Sequence, residues 1–161
     1  MGSSFDTAVS PICYRQKTMT RIDFHSNVGN QLDYACRLTR KALAAGCKLV
    51  VRHQDQQQLA EFDRLLWAIS DSDFLPHVTV HNVLAVHTPV LLSLESDRDA
   101  VAISNHTEIL LNLSDRVPGD FARFERLIEI VPHSEDATKA GRERYRSYLQ
   151  QGFQLNHINA K

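Results

Sequence analysis

Apolar and polar positions follow two alternating periodicities along the chain from residue 20 onwards. Residues 21–25 alternate at period two, as a half-buried strand does, and Gly29 and Asn30 end that pattern. Apolar positions then recur at helical spacing until Gly46, and an aliphatic, β-branched run follows at residues 47–51. A second helical stripe comes next. The pattern therefore predicts strand, helix, strand and helix over residues 20–69.

Two short apolar runs occupy the middle of the chain, at residues 89–94 and 109–113. Continuous apolar character over so few residues is typical of strands that helices cover on both faces, so both runs are predicted to be central strands. Strands that alternate with helices imply parallel pairing through right-handed crossovers. The predicted fold class is therefore α/β, with a mostly parallel central sheet and helices on both faces.

The last third of the chain predicts two further helices. Pro118 suits a first helical turn, and one apolar stripe then runs as far as Val131, where Pro132 ends it and favours extended geometry at Val131. The stripe consists of Phe121, Phe124, Leu127, Ile128 and Val131. The final helix is predicted over residues 134–151, with Gly152 as its ending residue.

Length and composition are those of one folded domain. The 161 residues are 43% hydrophobic and 23% charged, which is ordinary globular usage. Residues 1–18 carry no periodicity, so we expect a flexible extension there and a single α/β domain over residues 19–161. The formal charge of -1 excludes a global basic field that would hold the chain on DNA or on an anionic membrane.

Cysteine usage and hydropathy favour a cytoplasmic protein. The three cysteines are odd in number and form no C-x-x-C pair, which argues against a disulfide framework or a zinc knuckle. No apolar run approaches the roughly 20 residues that span a bilayer, and no signal sequence precedes the first strand. We therefore expect neither membrane anchoring nor export.

Motifs for catalysis or cofactor binding are missing from the sequence. Residues 26–30, after the first strand, contain neither G-x-G-x-x-G nor a P-loop. The spacing of His77, His81 and His87 does not converge on a metal, and no G-x-S-x-G elbow is present. Asp97 and Asp99 have the context of a solvated loop. We expect no catalytic residue, no metal and no cofactor.

Two groups of residues remain as candidates for binding. Trp67 lies at the border of its helix's apolar stripe and is followed by Phe74. The two rings can pack on each other as a satellite of the core, or they can form a partner surface, and the sequence leaves both interpretations open.

The second group lies on the last helix. At 100° per residue Lys139, Arg142 and Arg146 form one basic arc, whose edge adjoins Tyr145. A solvated amphipathic helix has this pattern. So does a site for a hydrophobic peptide with a free C-terminal carboxylate, because cations and an apolar surface share a border there.

Several short stretches, in this order and spacing, resemble the chi subunit family of bacterial DNA polymerase III. They are Leu66-Trp67, Phe74-Leu75-Pro76-His77, Ile130-Val131-Pro132, Arg142-Glu143-Arg144-Tyr145-Arg146 and Gly152-Phe153-Gln154-Leu155-Asn156. The resemblance covers roughly residues 20–156, and residues 1–18 have no counterpart.

The resemblance implies a Rossmann-like, non-catalytic subunit associated with the clamp loader. Such a subunit binds psi on one side and the C-terminal tail of single-stranded DNA-binding protein on another, and it contacts DNA only indirectly. Trp67 and Phe74 are similar to the psi-facing aromatic residues. The residues similar to the tail site are Val131, Lys139, Arg142, Tyr145 and Arg146.

One position departs from the family's pattern. Thr138 stands where a lysine is familiar in the tail site, although Lys139 is adjacent. The alternative to an adaptor is a small cytoplasmic α/β enzyme, whose ligand site would lie at the carboxyl ends of the strands. An enzyme would need polar groups that converge in a cleft, whereas an adaptor would carry apolar and basic patches on its outside.

Overall fold

The computed structural model describes residues 19–69 and 74–160, and the extension predicted for residues 1–18 lies outside them. The described elements are, in chain order, β1 Arg21–Val28, α1 Gln31–Ala44, β2 Leu49–His53, α2 Gln56–Ile69, β3 His77–Thr79, β4 Val90–Leu94, β5 Ile109–Asn112, β6 Arg126–Pro132, α3 Glu135–Gln150 and β7 Leu155–Asn159. One sheet joins all seven strands in the order β3-β4-β2-β5-β6-β1-β7. Every neighbouring pair is parallel. The predicted Rossmann-like α/β fold is confirmed.

Helices cover both faces of the sheet. Successive strand residues point to opposite faces, so Leu92 and Leu111 belong to the core under α1 and α2, while Leu91 and Leu110 belong to the core under α3. Both apolar runs of the sequence are interior strands, as predicted: β4 lies between β3 and β2, and β5 between β2 and β6. Short 3-10 turns complete the α3 face.

Polar side chains cap the three helices where the sequence indicates that they begin. Asn30 Oδ1 accepts a hydrogen bond from the Asp33 amide at 3.0 Å, which starts α1. Asp55 and Ser134 do the same for α2 and α3 through the amides two and three residues further on. Gly152, with φ of +89°, follows the end of α3 and adopts the left-handed geometry predicted for it.

The helix predicted over residues 118–131 is wrong. Phe121–Arg123 is a single 3-10 turn, and Arg126–Pro132 is strand β6. All five residues from Leu127 to Val131 are buried, because a strand between two parallel neighbours is covered on both faces and needs no polar side. The spacing of the apolar residues matched a helical stripe, but the polar residue between them, Glu129, is buried as well.

Strands β3 and β7 form the two edges of the sheet and were not predicted. β3 has three residues, too few for a periodicity. β7 is polar and mostly exposed, with the sequence Leu-Asn-His-Ile-Asn, and β1 is its one neighbour among the described strands. Exposed polar side chains on an edge strand discourage pairing with other chains, which accounts for the weak hydrophobic signal.

A buried arginine anchors two loops at the carboxyl end of β2. Arg52 is fully buried and donates to the Ser93 hydroxyl at 3.2 Å, to Asp120 at 2.6 Å and to Glu95 at 3.3 Å. These acceptors lie on β4 and on the loops that follow β4 and precede β6. The arginine therefore ties three segments to one strand end.

Candidate functional site

A pocket of about 380 Å³ opens between α3 and the sheet, next to strands β1 and β7. We call it the α3 pocket. Its lining residues are Phe24, Ser26, Asn27, Val131, His133, Thr138, Gly141, Arg142, Tyr145 and His157. The deepest of these are apolar or small, because Phe24, Val131 and Gly141 are buried and Tyr145 is half-buried. Polar side chains surround this apolar base.

Gly141 lets α3 approach the sheet closely at the base of the pocket. A Cβ built on Gly141 would lie 3.0 and 3.1 Å from the two Cγ atoms of Val131, closer than ordinary van der Waals contact. Tyr145, one turn further along the helix, packs edge-to-face on Phe24 with ring centroids 5.1 Å apart. These contacts bring the ring of Tyr145 and the side chain of Val131 to the same pocket.

A buried polar cluster holds α3 in position. Glu129 on β6 is fully buried and accepts hydrogen bonds from Arg144 Nε at 3.1 Å, Tyr148 Oη at 2.6 Å and Asn112 Nδ2 at 3.0 Å. Burial and the adjacent carboxylate raise the pKa of the Tyr148 hydroxyl, which therefore stays protonated and donates. Arg144 faces the sheet, so it takes no part in the α3 pocket.

Three cations of α3 remain on its outer face. Lys139, Arg142 and Arg146 are exposed, and none of them has an ion-pair partner among the residues that the structure describes. Arg142 lines the α3 pocket, whereas Lys139 and Arg146 lie outside its lining. Thr138 does line the pocket, but its hydroxyl donates to the Ser134 carbonyl at 2.8 Å. Among the described residues, Arg142 is therefore the one lysine or arginine whose side chain borders the apolar base directly.

The structure brings together three of the five residues predicted for a peptide site. Val131, Arg142 and Tyr145 line one pocket, and Lys139 and Arg146 flank it along the same helix. The role of all five as a binding site stays a prediction. Sequence reasoning missed the residues that β1 and β7 contribute, since strand β7 carries no hydrophobic signal and was itself not predicted.

The aromatic pair predicted as a second surface lies at the opposite end of the molecule. Trp67 is 54% exposed and Phe74 is 71% exposed, and their ring centroids are 6.1 Å apart. His77, at the start of β3, lies 4.9 Å from the Trp67 ring and 3.0 Å from Asp63 Oδ1. We call Trp67 and Phe74 the aromatic surface. The two rings contact each other, as the core-satellite interpretation expected, yet both remain open to solvent.

Further apolar side chains are exposed on the loops beside β3 and β4. Val83 is 92% exposed and Val101 is 80% exposed, and Leu84 and Val86 are also exposed. They lie on or beside two 3-10 turns that contact each other. The sequence signal for this surface is the apolar run at residues 83–86, which lies between His81 and His87.

The carboxyl ends of β2, β5 and β6 border a polar crevice, where an enzyme of this fold would bind its ligand. Burial lowers the pKa of His53 there, and its Nδ1 accepts a hydrogen bond from the Asp55 amide at 3.0 Å. Asp115 and Asp136 also line the crevice. Within the described residues no group of three or more His, Cys, Asp or Glu side chains is arranged to hold a metal ion.

No helix among the described residues has the length and apolar character needed to cross a membrane.

Residues 19–156 match the sequence profile of the family described as DNA polymerase III chi subunit, HolC. The chain belongs to the chi subunit family. The matched residues contain the aromatic surface and every lining residue of the α3 pocket except His157, and the resemblance seen in the sequence is confirmed.

Three relatives named DNA polymerase III subunit chi are similar to the chain over most of its length. The one from Pseudomonas aeruginosa is 31% identical over 141 residues, covering 85% of this chain and 94% of the relative. The one from Haemophilus influenzae is 26% identical, covering 79% and 85%. The one from Escherichia coli is 25% identical, covering 75% and 80%. Membership of the chi family indicates an accessory role in DNA replication.

Proposed function

We propose that the chain is a non-catalytic adaptor of the DNA polymerase III holoenzyme. In this proposal it links the clamp-loader complex, through psi, to the C-terminal tail of single-stranded DNA-binding protein, and it contacts DNA only indirectly. That role would place it in the cytoplasm. The observation that carries the proposal is the α3 pocket, where Arg142, which has no ion-pair partner in the described part of the chain, borders an apolar base.

The chemistry of the α3 pocket suits a peptide with a free C-terminus and a large apolar last residue. Arg142 can donate two parallel hydrogen bonds to a terminal carboxylate. Phe24, Val131 and Tyr145 offer the side chain an apolar surface, including the edge of an aromatic ring. Lys139 and Arg146, further out on α3, would attract acidic residues upstream in the tail.

Arg142 and the apolar base of the α3 pocket contribute differently to the proposed binding. An exposed ion pair contributes only about 0–1 kcal/mol, so Arg142 supplies mainly selectivity for a free carboxylate. Burial of apolar area at roughly 25 cal/mol per Å² supplies most of the affinity. Added salt should weaken binding, because the cations are exposed and their attraction for an acidic tail is screened.

The aromatic surface is the proposed psi contact. Trp67 and Phe74 expose large rings next to the edge strand β3, and aromatic residues of this kind dominate the energetics of protein interfaces. Phe74→Ala should therefore weaken psi binding by more than about 1 kcal/mol while changing stability little. A steep fall in the unfolding temperature with psi affinity retained would assign Phe74 to the core instead.

The test of the proposed tail site is a titration with two forms of one peptide. An acidic peptide ending in phenylalanine is prepared with a free C-terminus and with an amidated C-terminus. Wild type should bind the free acid at least several-fold more tightly, and Arg142→Ala should lose most of that preference. Arg37→Ala on α1 is the matched control, since Arg37 is an exposed helical arginine outside the α3 pocket. Equal affinities for wild type and Arg142→Ala with both peptides would refute the site.

A further inference from the structure

One wall of the α3 pocket is polar and comes from the sheet edge. The pairing of β1 with β6 shifts register between His25 and Val28, which is a β-bulge. Within the bulge Asn27 has φ of +61°, the left-handed region that few residues other than glycine and asparagine adopt. Bulges re-aim side chains, and here Ser26 and Asn27 both line the pocket.

A hydrogen bond to β1 holds a histidine of β7 in the same wall. Ser26 Oγ and His157 Nε2 are 2.6 Å apart, although Ser26 and His157 are separated by 131 positions in the chain. When Nε2 accepts the hydroxyl hydrogen, the ring hydrogen lies on Nδ1, which has no hydrogen-bond partner among the described residues. His157 then presents a donor.

Asn27 completes the wall with an acceptor. Its Nδ2 donates to Asn159 Oδ1 over a long 3.4 Å, which leaves Oδ1 as the side-chain atom without a partner among the described residues. The acceptor on Asn27 and the donor on His157, both without a partner among the described residues, are complementary to a single peptide group, whose N–H donates and whose carbonyl accepts.

We infer that Asn27 and His157 form a main-chain subsite of the α3 pocket, which binds the last peptide group of the occupant. Asn27 Oδ1 accepts a hydrogen bond from the N–H of the C-terminal residue, and His157 Nδ1 donates a hydrogen bond to the carbonyl of the residue before it. This rests on the proposed function. A peptide whose carboxylate meets Arg142 and whose last side chain fills the apolar base loses water around that peptide group, and a desolvated amide needs partners.

The subsite predicts a preference for a peptide over a simple aromatic acid. 3-Phenylpropanoate carries a carboxylate and a ring but no peptide group, so it engages Arg142 and the apolar base alone. The subsite also explains why the wall needs both strands, since the acceptor lies on β1 and the donor on β7.

The test uses N-methylation of one amide. The free-acid peptide is compared with the same peptide methylated at the nitrogen of its last residue, which removes the N–H that Asn27 would accept. Wild type should lose about five-fold in affinity on methylation, the range of one neutral hydrogen bond. Asn27→Gly keeps the left-handed backbone accessible and should bind the unmethylated peptide about five-fold more weakly, with little further loss on methylation.

His157→Phe has a different expected signature. It retains a ring but removes the donor to the carbonyl, so it should weaken both peptides by a similar factor of about five and keep the sensitivity to methylation. Asn105→Gly, in a 3-10 turn outside the pocket, is the control and should behave as wild type. Thermal unfolding of each variant separates a local loss from a global one, and His157→Phe keeps the subsite testable if Asn27→Gly does not fold.

The outcomes distinguish failure of the main-chain subsite from failure of the tail site. If wild type does not bind the free-acid peptide, or Arg142→Ala binds it equally well, the proposed tail site is wrong and the subsite falls with it. If Arg142→Ala weakens binding but Asn27→Gly and His157→Phe bind both peptides as wild type does, the main-chain subsite is overturned while the tail site stands.

Discussion

At the scale of single residues, the most consequential side chain of the core is Glu129. It lies in the middle of β6 between apolar neighbours, with no exposed surface, and Arg144, Tyr148 and Asn112 donate hydrogen bonds to it. A buried ion pair adds little net stability, but removal of one partner leaves the other charge uncompensated in the interior.

Glu129→Gln should therefore destabilise the protein by about 3–5 kcal/mol, since Arg144 would remain charged and buried without a carboxylate. The measurement is urea unfolding at pH 7. Glu125→Gln, an exposed acid just before the same strand, is the matched control and should change the unfolding free energy by less than about 0.5 kcal/mol. A loss below 1 kcal/mol for Glu129→Gln would contradict the role assigned to the ion pair.

Two buried histidines should make the stability depend on pH. Burial lowers the pKa of His53 and of His25 in the folded state. The two imidazoles therefore stay neutral in the folded chain at pH values where the same groups, with a pKa of about 6.5 in the unfolded chain, bind protons. The contribution of these neutral histidines to the unfolding free energy is therefore fully present above about pH 7. It falls as the pH decreases through about 6.5 toward the folded-state pKa, by up to about 1.4 kcal/mol per pH unit for each histidine.

His53→Asn should make the fall in unfolding free energy between pH 7.5 and pH 5.5 distinctly smaller than in wild type. Asparagine retains an acceptor for the Asp55 amide but does not titrate. Denaturant unfolding at the two pH values measures the difference, with exposed His87→Asn as the control. An unchanged pH dependence in His53→Asn would show that folding does not lower the pKa of His53.

At the scale of elements, β6 shows what a hydrophobic pattern can and cannot predict. The interior strands β2, β4 and β5 were predictable because short, uninterrupted apolar runs have few other uses. In β6 the run is interrupted by Glu129, whose partner Arg144 lies on another element, so a helical stripe matched the same apolar positions. A polar residue that is buried by a distant partner cannot be distinguished, in sequence, from one that faces water.

The close contact between α3 and β6 predicts whether Gly141→Ala stabilises or destabilises the protein. Alanine is favoured over glycine inside a helix by about 1 kcal/mol, yet a Cβ at Gly141 would press on the stiff, buried side chain of Val131. We expect Gly141→Ala to cost about 1 kcal/mol in the wild-type background. In a Val131→Ala background, the same change should stabilise by up to about 1 kcal/mol.

Denaturant unfolding of the four proteins of this cycle measures the coupling directly. A stabilising effect of Gly141→Ala in both backgrounds would mean that the helix can move away from the sheet at little cost. The close approach would then not be what shapes the base of the α3 pocket.

At the scale of the whole molecule, the two candidate surfaces lie at opposite edges of the sheet. The aromatic surface adjoins β3, the first strand in the sheet order, and the α3 pocket adjoins β7, the last. Six strand spacings of about 4.8 Å separate these edges by about 29 Å. Sites so far apart with no shared residues are expected to act independently.

The two proposed partners should therefore bind at the same time without mutual effect. The affinity of the free-acid peptide, measured by titration with and without saturating psi, should agree within about two-fold, and Phe74→Ala should leave it unchanged. Arg142→Ala should likewise leave psi affinity unchanged. A change of five-fold or more in either direction would indicate that the two surfaces communicate.

The candidate site was predictable only where one helix carries it. Helical geometry relates Arg142 and Tyr145, and the family resemblance adds Val131, so this side of the pocket could be named in advance. The opposite wall joins Ser26 and Asn27 to His157 across more than a hundred residues, through a bulge and an edge strand. No local periodicity encodes such a meeting, because it exists only once the sheet has formed.

The position of β1 in the sheet also bears on how the molecule folds. Through Asp23 this first strand bonds residues 103 and 133 positions further along the chain, on β6 and β7. Closing loops of that size costs entropy before any contact forms. Strands β2, β3, β4 and β5 are closer to one another in the chain, so they can associate sooner. The wall that would grip a peptide is then among the last parts of the protein to assemble. When refolding is monitored by the recovery of peptide binding, it should be slower than when it is monitored by a backbone signal. Substitutions in β7 should speed unfolding more than they slow folding.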